Sequence, residues 1–92
     1  MELIELNDKE YMKIVKEFLK MNSIPAKKDI MINILDNIHQ IYENEGKTLY
    51  STIIATSIYA ALKISDYKMS MSQIAEFFTI DTTTISKCYN RN

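Results

Sequence analysis

The chain holds one glycine (Gly46), one proline (Pro25), one cysteine (Cys88), one histidine (His39) and no tryptophan. Each scarcity excludes something. Hairpins and tight turns draw on glycine and proline, so their scarcity argues against a turn-rich all-β fold and the chain is expected to be helical. A lone cysteine cannot close an intramolecular disulfide, and with a single histidine it cannot complete the usual four-ligand zinc site, so a reducing compartment is expected. No glycine-rich phosphate loop, no paired carboxylates and no nucleophile beside a base can be found, so no enzyme is expected. Catalytic residues, cofactor and metal are accordingly assigned as none. An excess of one charge sign is also missing: 11 basic residues face 12 acidic ones, for a net charge of −1. Clinging to nucleic acid by overall charge is thereby excluded, and any basic contact surface has to be local.

With 47% hydrophobic and 25% charged residues, the composition is that of an ordinary globular chain. Its length fits one domain, residues 1–92. No run approaches the roughly 20 apolar residues of a membrane span. The opening residues carry Glu2 and Glu5 and no basic segment before a long apolar run. No signal peptide is therefore expected, and the expected location is cytoplasmic, or nuclear in a eukaryote.

The organising stretch is Ser51 to Ile64, STIIATSIYAALKI. On a helical wheel it is apolar or small nearly all round, with Thr52, Thr56 and Lys63 on one polar stripe. Such a helix belongs at the centre of a bundle. Ala55, Ala60, Ala61, Ser51 and Ser57 let neighbours approach, while Ile53, Ile54, Ile58, Leu62 and Ile64 fill the space between.

Around it the spacing predicts four more helices. The first, capped by Asn7 or Asp8, runs to about Met21 with Tyr11, Ile14, Val15, Phe18 and Leu19 on one stripe. Pro25 breaks the pattern and suits the first turn of a second helix from about Ala26 to Glu45. That helix aligns Met31, Leu35, Ile38 and Tyr42, with Ile34 and Ile41 beside them, and Gly46 follows where a left-handed residue is wanted. His39 lies at the stripe's edge, where an ordinary hydrogen bond is a better account than catalysis.

Ser70 or Ser72 can cap a short fourth helix through Phe78, and Asp81 a fifth from Thr82 to Asn90. Two short helices joined by a few residues give the helix-turn-helix layout, over about residues 70–90. Ile74, Ala75 and Phe78 face inward from one, and Ile85, Cys88 and Tyr89 from the other. Thr79 stands in the turn where many such motifs have glycine. The fifth helix then exposes Thr83, Ser86, Lys87 and Asn90, adjoined by Arg91, residue types that meet phosphates and base edges in a major groove. The candidate DNA-contacting set is Ser72, Gln73, Thr82, Thr83, Ser86, Lys87, Asn90 and Arg91. A polar outer face is equally what any surface helix shows.

The run TIIATSIYAALKI, followed after a short loop by SMSQIAEFFTIDTTTISKCYN, resembles the cyclin-like repeat of the general transcription factor IIB and of archaeal transcription factor B. The matching segments are Thr56 to Ala61, Ser72 to Glu76, Ile80-Asp81 and Cys88-Tyr89. The resemblance implies an all-α, five-helix cyclin-box-like bundle with a central buried helix and a C-terminal helix-turn-helix, of archaeal or viral type. It also implies double-stranded DNA, TATA-binding protein and RNA polymerase as partners. The family's full factor has a zinc ribbon and two repeats; this chain has one repeat and no cysteine set for a ribbon. Where the family's second repeat carries an arginine that reads bases, this chain has Ser86. The reading is a DNA-associated transcription module that binds duplex weakly alone. The alternatives are a cyclin-box protein-interaction adaptor and a small helix-turn-helix repressor acting as a homodimer.

Overall fold

A computed structural model describes residues 8–45 and 48–92. The described residues form five α-helices and no strand: α1 (Asp8–Met21), α2 (Lys28–Asn44), α3 (Tyr50–Lys63), α4 (Met71–Phe78) and α5 (Thr82–Arg91). All four other helices pack on α3, α2 most extensively, within a radius of gyration of 12.1 Å. Ile53, Ile54, Ala55, Ile58, Ala61 and Leu62 of α3 are buried, as the run of apolar and small residues predicts. Because neighbours cover nearly its whole circumference, two members of the expected polar stripe, Thr52 and Thr56, are buried as well, and only Lys63 reaches the surface. The hydroxyl of Ser57 is buried without a hydrogen-bond partner.

Four expectations are corrected. Ile64 lies beyond the last turn of α3 and is 75% exposed rather than filling the core. Ile14 is 39% exposed, at the margin of the α1 stripe rather than within it. In α2 the fully buried line is Ile30, Ile34, Ile38 and Ile41, while Met31, Leu35 and Tyr42 are half-buried. The α2 stripe is wide enough to be centred on either row, and contact with α3 selects the isoleucines. The helix also starts later than expected, at Lys28, because Ala26 lies in a tight turn closed by the Lys27 N–H on Pro25 O at 2.9 Å and Lys27 is extended. The expected roles of Asn7 and Gly46 lie outside the described residues.

With glycine so scarce, two helices end on other residues in the left-handed region. Ser23 (φ 56°) follows α1 and Thr79 (φ 56°) follows α4. At α1 the Ile24 N–H reaches Leu19 O at 2.8 Å and the Ser23 N–H reaches Lys20 O at 3.2 Å. At α4 the Ile80 N–H reaches Ala75 O at 3.0 Å and the Thr79 N–H reaches Glu76 O at 3.2 Å. This paired bonding is the Schellman arrangement, which satisfies carbonyls left over at a helix end. In both cases an isoleucine comes next and packs on the core, Ile24 fully and Ile80 partly.

The N-terminus of α4 is closed just as locally. The Gln73 N–H donates to Ser70 Oγ at 3.1 Å, and Gln73 Oε1 accepts from the Ser70 N–H at 3.2 Å, a capping box that selects Ser70 over Ser72 as the cap. Phe18 of α1 then ties α4 to the bundle. Its ring meets Phe77 edge-on at 4.9 Å and stacks on Phe78 at 5.8 Å.

Candidate nucleic-acid interface

The proposed contact face rests on how α5 is seated. Ile85 and Cys88, one turn apart, are fully buried and fix the helix's rotation. Thr83, Lys87 and Asn90 are thereby exposed on the opposite side, with Thr82 exposed in the first turn and Ser86 half-buried. The helix itself contains no acidic residue. Glu76 and Asp81, on the adjoining segments, are both exposed.

Asp81 takes the N-cap position, as expected, but its side chain makes no capping hydrogen bond. An exposed carboxylate at the positive end of α5 disfavours a phosphate there. Lys87, the cation of the exposed row, stands further along the helix. On α4, Ser72 and Gln73 are exposed in the first turn. Gln73 also accepts from Ser70 Oγ, at 3.1 Å, so the capping box commits its carbonyl oxygen and leaves its amide donors for other partners.

One flank of α5 is aromatic and cationic. Tyr89 meets Tyr59 of α3 edge-to-face at 5.2 Å, and the Lys63 ammonium lies 4.9 Å from the Tyr89 ring centre and 5.7 Å from that of Tyr59. The same ammonium stands 3.5 Å from the Tyr89 hydroxyl oxygen. The i, i+4 spacing of Tyr59 and Lys63 was readable in the sequence; the arrival of Tyr89 between them was not. Lys68 is exposed on the loop that follows α3.

The other flank is an ion-pair clasp that sequence reasoning missed. Glu45, just past the end of α2, accepts on Oε1 from Arg91 Nη2 at 2.5 Å, Arg91 Nε at 3.2 Å and Thr48 Oγ1 at 3.2 Å. Its other oxygen accepts from the Asn92 side-chain amide. The Arg91 bonds above all, with help from Asn92 and Thr48 and against the opposing cost of burial, hold the Glu45 carboxyl below its ordinary pKa. Arg91, expected among the DNA contacts, is thus turned to α2 and away from the exposed row. Nothing in the sequence pairs residues so far apart.

Beside the clasp, Asn37, Gln40, Thr56, Tyr89 and Asn92 line a cleft of about 110 Å³ between α2, α3 and the end of α5. Its polar lining is neutral, with Thr56 at its wall. The volume suits a few waters and falls well short of the roughly 300 Å³ at which small-molecule sites begin. Cys88 is buried next to it, and burial pushes its thiol above the ordinary pKa, the opposite of a reactive cysteine. Among the described residues no helix is long and apolar enough to cross a membrane. Compared with protein families, curated proteins and solved structures, the chain finds no match.

Proposed function

We propose that this chain is a DNA-associated transcription module, comparable to one core repeat of transcription factor IIB, in which α4 and α5 act as a helix-turn-helix and α5 meets duplex DNA. The observation that supports it is the acid-free row of Thr83, Lys87 and Asn90, exposed on a helix whose rotation is fixed by Ile85 and Cys88. Few phosphates are within its means. Lys87 sits on the row, Lys63 leans on two tyrosine rings at one flank, Lys68 is on the neighbouring loop, and Arg91 is engaged by Glu45. About three contacts give a log–log salt slope near 0.9 for each, hence weak binding by the domain alone. Useful affinity then needs a second copy or a protein partner already on the DNA, either of which raises effective concentration.

The test is a fluorescence-anisotropy titration over a salt series with AT-rich and promoter duplexes, with and without a TATA-binding protein. Weak, salt-dependent binding that the TATA-binding protein strengthens is expected, and Lys87→Glu weakens it across all sequences alike. An unchanged isotherm for Lys87→Glu refutes DNA contact through α5.

A second reading, the protein-interaction adaptor, is favoured by a different surface. Tyr50 (53% exposed) and Ile14 flank a shallow notch floored by Tyr11 and Ile54, and Leu49 beside it is 72% exposed. Exposed apolar side chains gathered at one place suit a protein partner.

A further inference from the structure

We propose that Arg91 is a phosphate contact withheld by an internal competitor: Glu45 occupies the guanidinium in the free protein, and a duplex phosphate takes it over. The inference rests on the reading of α5 as the DNA-facing helix, and the experiment below separates the two.

Three features carry it. First, Arg91 stands one residue after Asn90, the last member of the exposed row, and keeps 55% of its side-chain exposure despite the ion pair. A phosphate can reach it without unpacking any part of the core. Second, both Arg91 bonds run to the same oxygen, Glu45 Oε1, from Nε and Nη2. The fork is therefore not matched to two carboxylate oxygens, and a phosphate that offers two oxygens is a better geometric partner for it. Third, Glu45 is not stranded when Arg91 leaves. Thr48 Oγ1 still donates to Oε1 and the Asn92 amide to Oε2, so the carboxylate keeps donors on both oxygens. Release costs the exchange of one anion for another at a half-exposed cation, not the burial of a bare charge.

The anchoring of α5 does not depend on Arg91 alone. The Asn44 side-chain amide of α2 also donates to Asn92 Oδ1 at 2.8 Å, while the Asn92 amide holds Asn92 to its own helix by donating to Cys88 O at 2.7 Å. The last turn of α5 can stay seated on α2 while the guanidinium swings out.

The experiment is the same duplex titration over a salt series on the full chain, with Glu45→Gln, Arg91→Ala and the double variant, each checked for an intact helical spectrum. Wild type must break the Arg91–Glu45 pair before the phosphate is met, so Glu45→Gln is expected to raise duplex affinity by about 1.4- to 5-fold, the worth of an exposed ion pair, with the log–log slope unchanged because the same phosphates are neutralised in both complexes. Adding Arg91→Ala should abolish that gain. In the wild-type background Arg91→Ala should weaken binding less than Lys87→Ala does, because part of what Arg91 gives to phosphate is withdrawn from Glu45. Duplex binding with an unchanged affinity in Glu45→Gln, or a gain that persists when Arg91→Ala is added, overturns the inference and leaves the DNA reading standing. If Glu45→Gln does not fold, a loss in Arg91→Ala equal to that in Lys87→Ala overturns it instead. No duplex binding by wild type or any variant sinks both.

Discussion

Replacing Thr79 by glycine should make this protein more stable, although glycine usually weakens a helix end it does not belong to. Thr79 sits at φ 56°, ψ 47°, in the left-handed region, immediately after α4. For a residue with a β-carbon that conformation costs about 1–2 kcal/mol, and a β-branched side chain is at the upper end. Glycine removes the cost but brings greater freedom to the unfolded chain, a penalty of about 0.5–1 kcal/mol. The side chain is exposed, so no packing is lost. The net is a gain of about 0.5–1 kcal/mol, or about 2–8 °C in Tm for a domain of this size. Thr79→Ala, which keeps the β-carbon, serves as the control and should shift little. Thermal and urea unfolding followed by circular dichroism at 222 nm would measure both, with an unchanged m-value required for the comparison. A Thr79→Gly protein no more stable than Thr79→Ala would show that the β-carbon is not what strains this turn, and the account of the α4–α5 junction would fall.

Two further outcomes are expected. Ile58→Ala, in the fully buried middle of α3, should destabilise by about 2–5 kcal/mol, and a melting curve that does not move would mean the central helix is misassigned. Because the folded-state pKa of Glu45 lies below its ordinary value of 4.5, the clasp's contribution is complete above that value and fades as pH falls through the depressed one. The stability difference between wild type and Glu45→Gln should thus be flat at neutral pH and shrink only in acid; a difference that instead shrinks between pH 6 and 8 would contradict the assignment.

How much of this was readable beforehand follows the range of the interactions. Helix existence, number and most boundaries came from periodicity and caps, which are local: a serine at 70 or 72 before α4, Pro25 at the entry to α2, the stripe of Val15, Phe18 and Leu19. The rotation of α2 was harder, since Met31–Leu35–Ile38–Tyr42 and Ile30–Ile34–Ile38–Ile41 are both apolar rows and only the position of α3 decides between them. Ile64 misled because helical spacing was extended one residue past the end of the helix, where a side chain no longer points along its face. Ser23 gave no warning of its positive φ, because serine is not a usual left-handed residue and the signal lies in the Ile24 that follows. The exposed face of α5 followed from Ile85 and Cys88. The fate of Arg91 did not, for its partner Glu45 comes from the far end of α2 and no pattern within one helix can announce it.

The position of α3 also bears on how the molecule can come apart. Since α1, α2, α4 and α5 each lean on α3, peeling any one of them away uncovers part of the same shared row of isoleucines. Partial opening is then expensive wherever it begins, except at the helix ends, and the bundle has little scope for a half-folded state in which some helices persist without the hub. Amide protons in the middle of α3 would exchange with solvent only when the entire bundle opens, so their exchange rate reads out the global unfolding equilibrium directly. Motion that serves binding has to be found in side chains and helix termini, such as the last turn of α5, and not in the detachment of a helix.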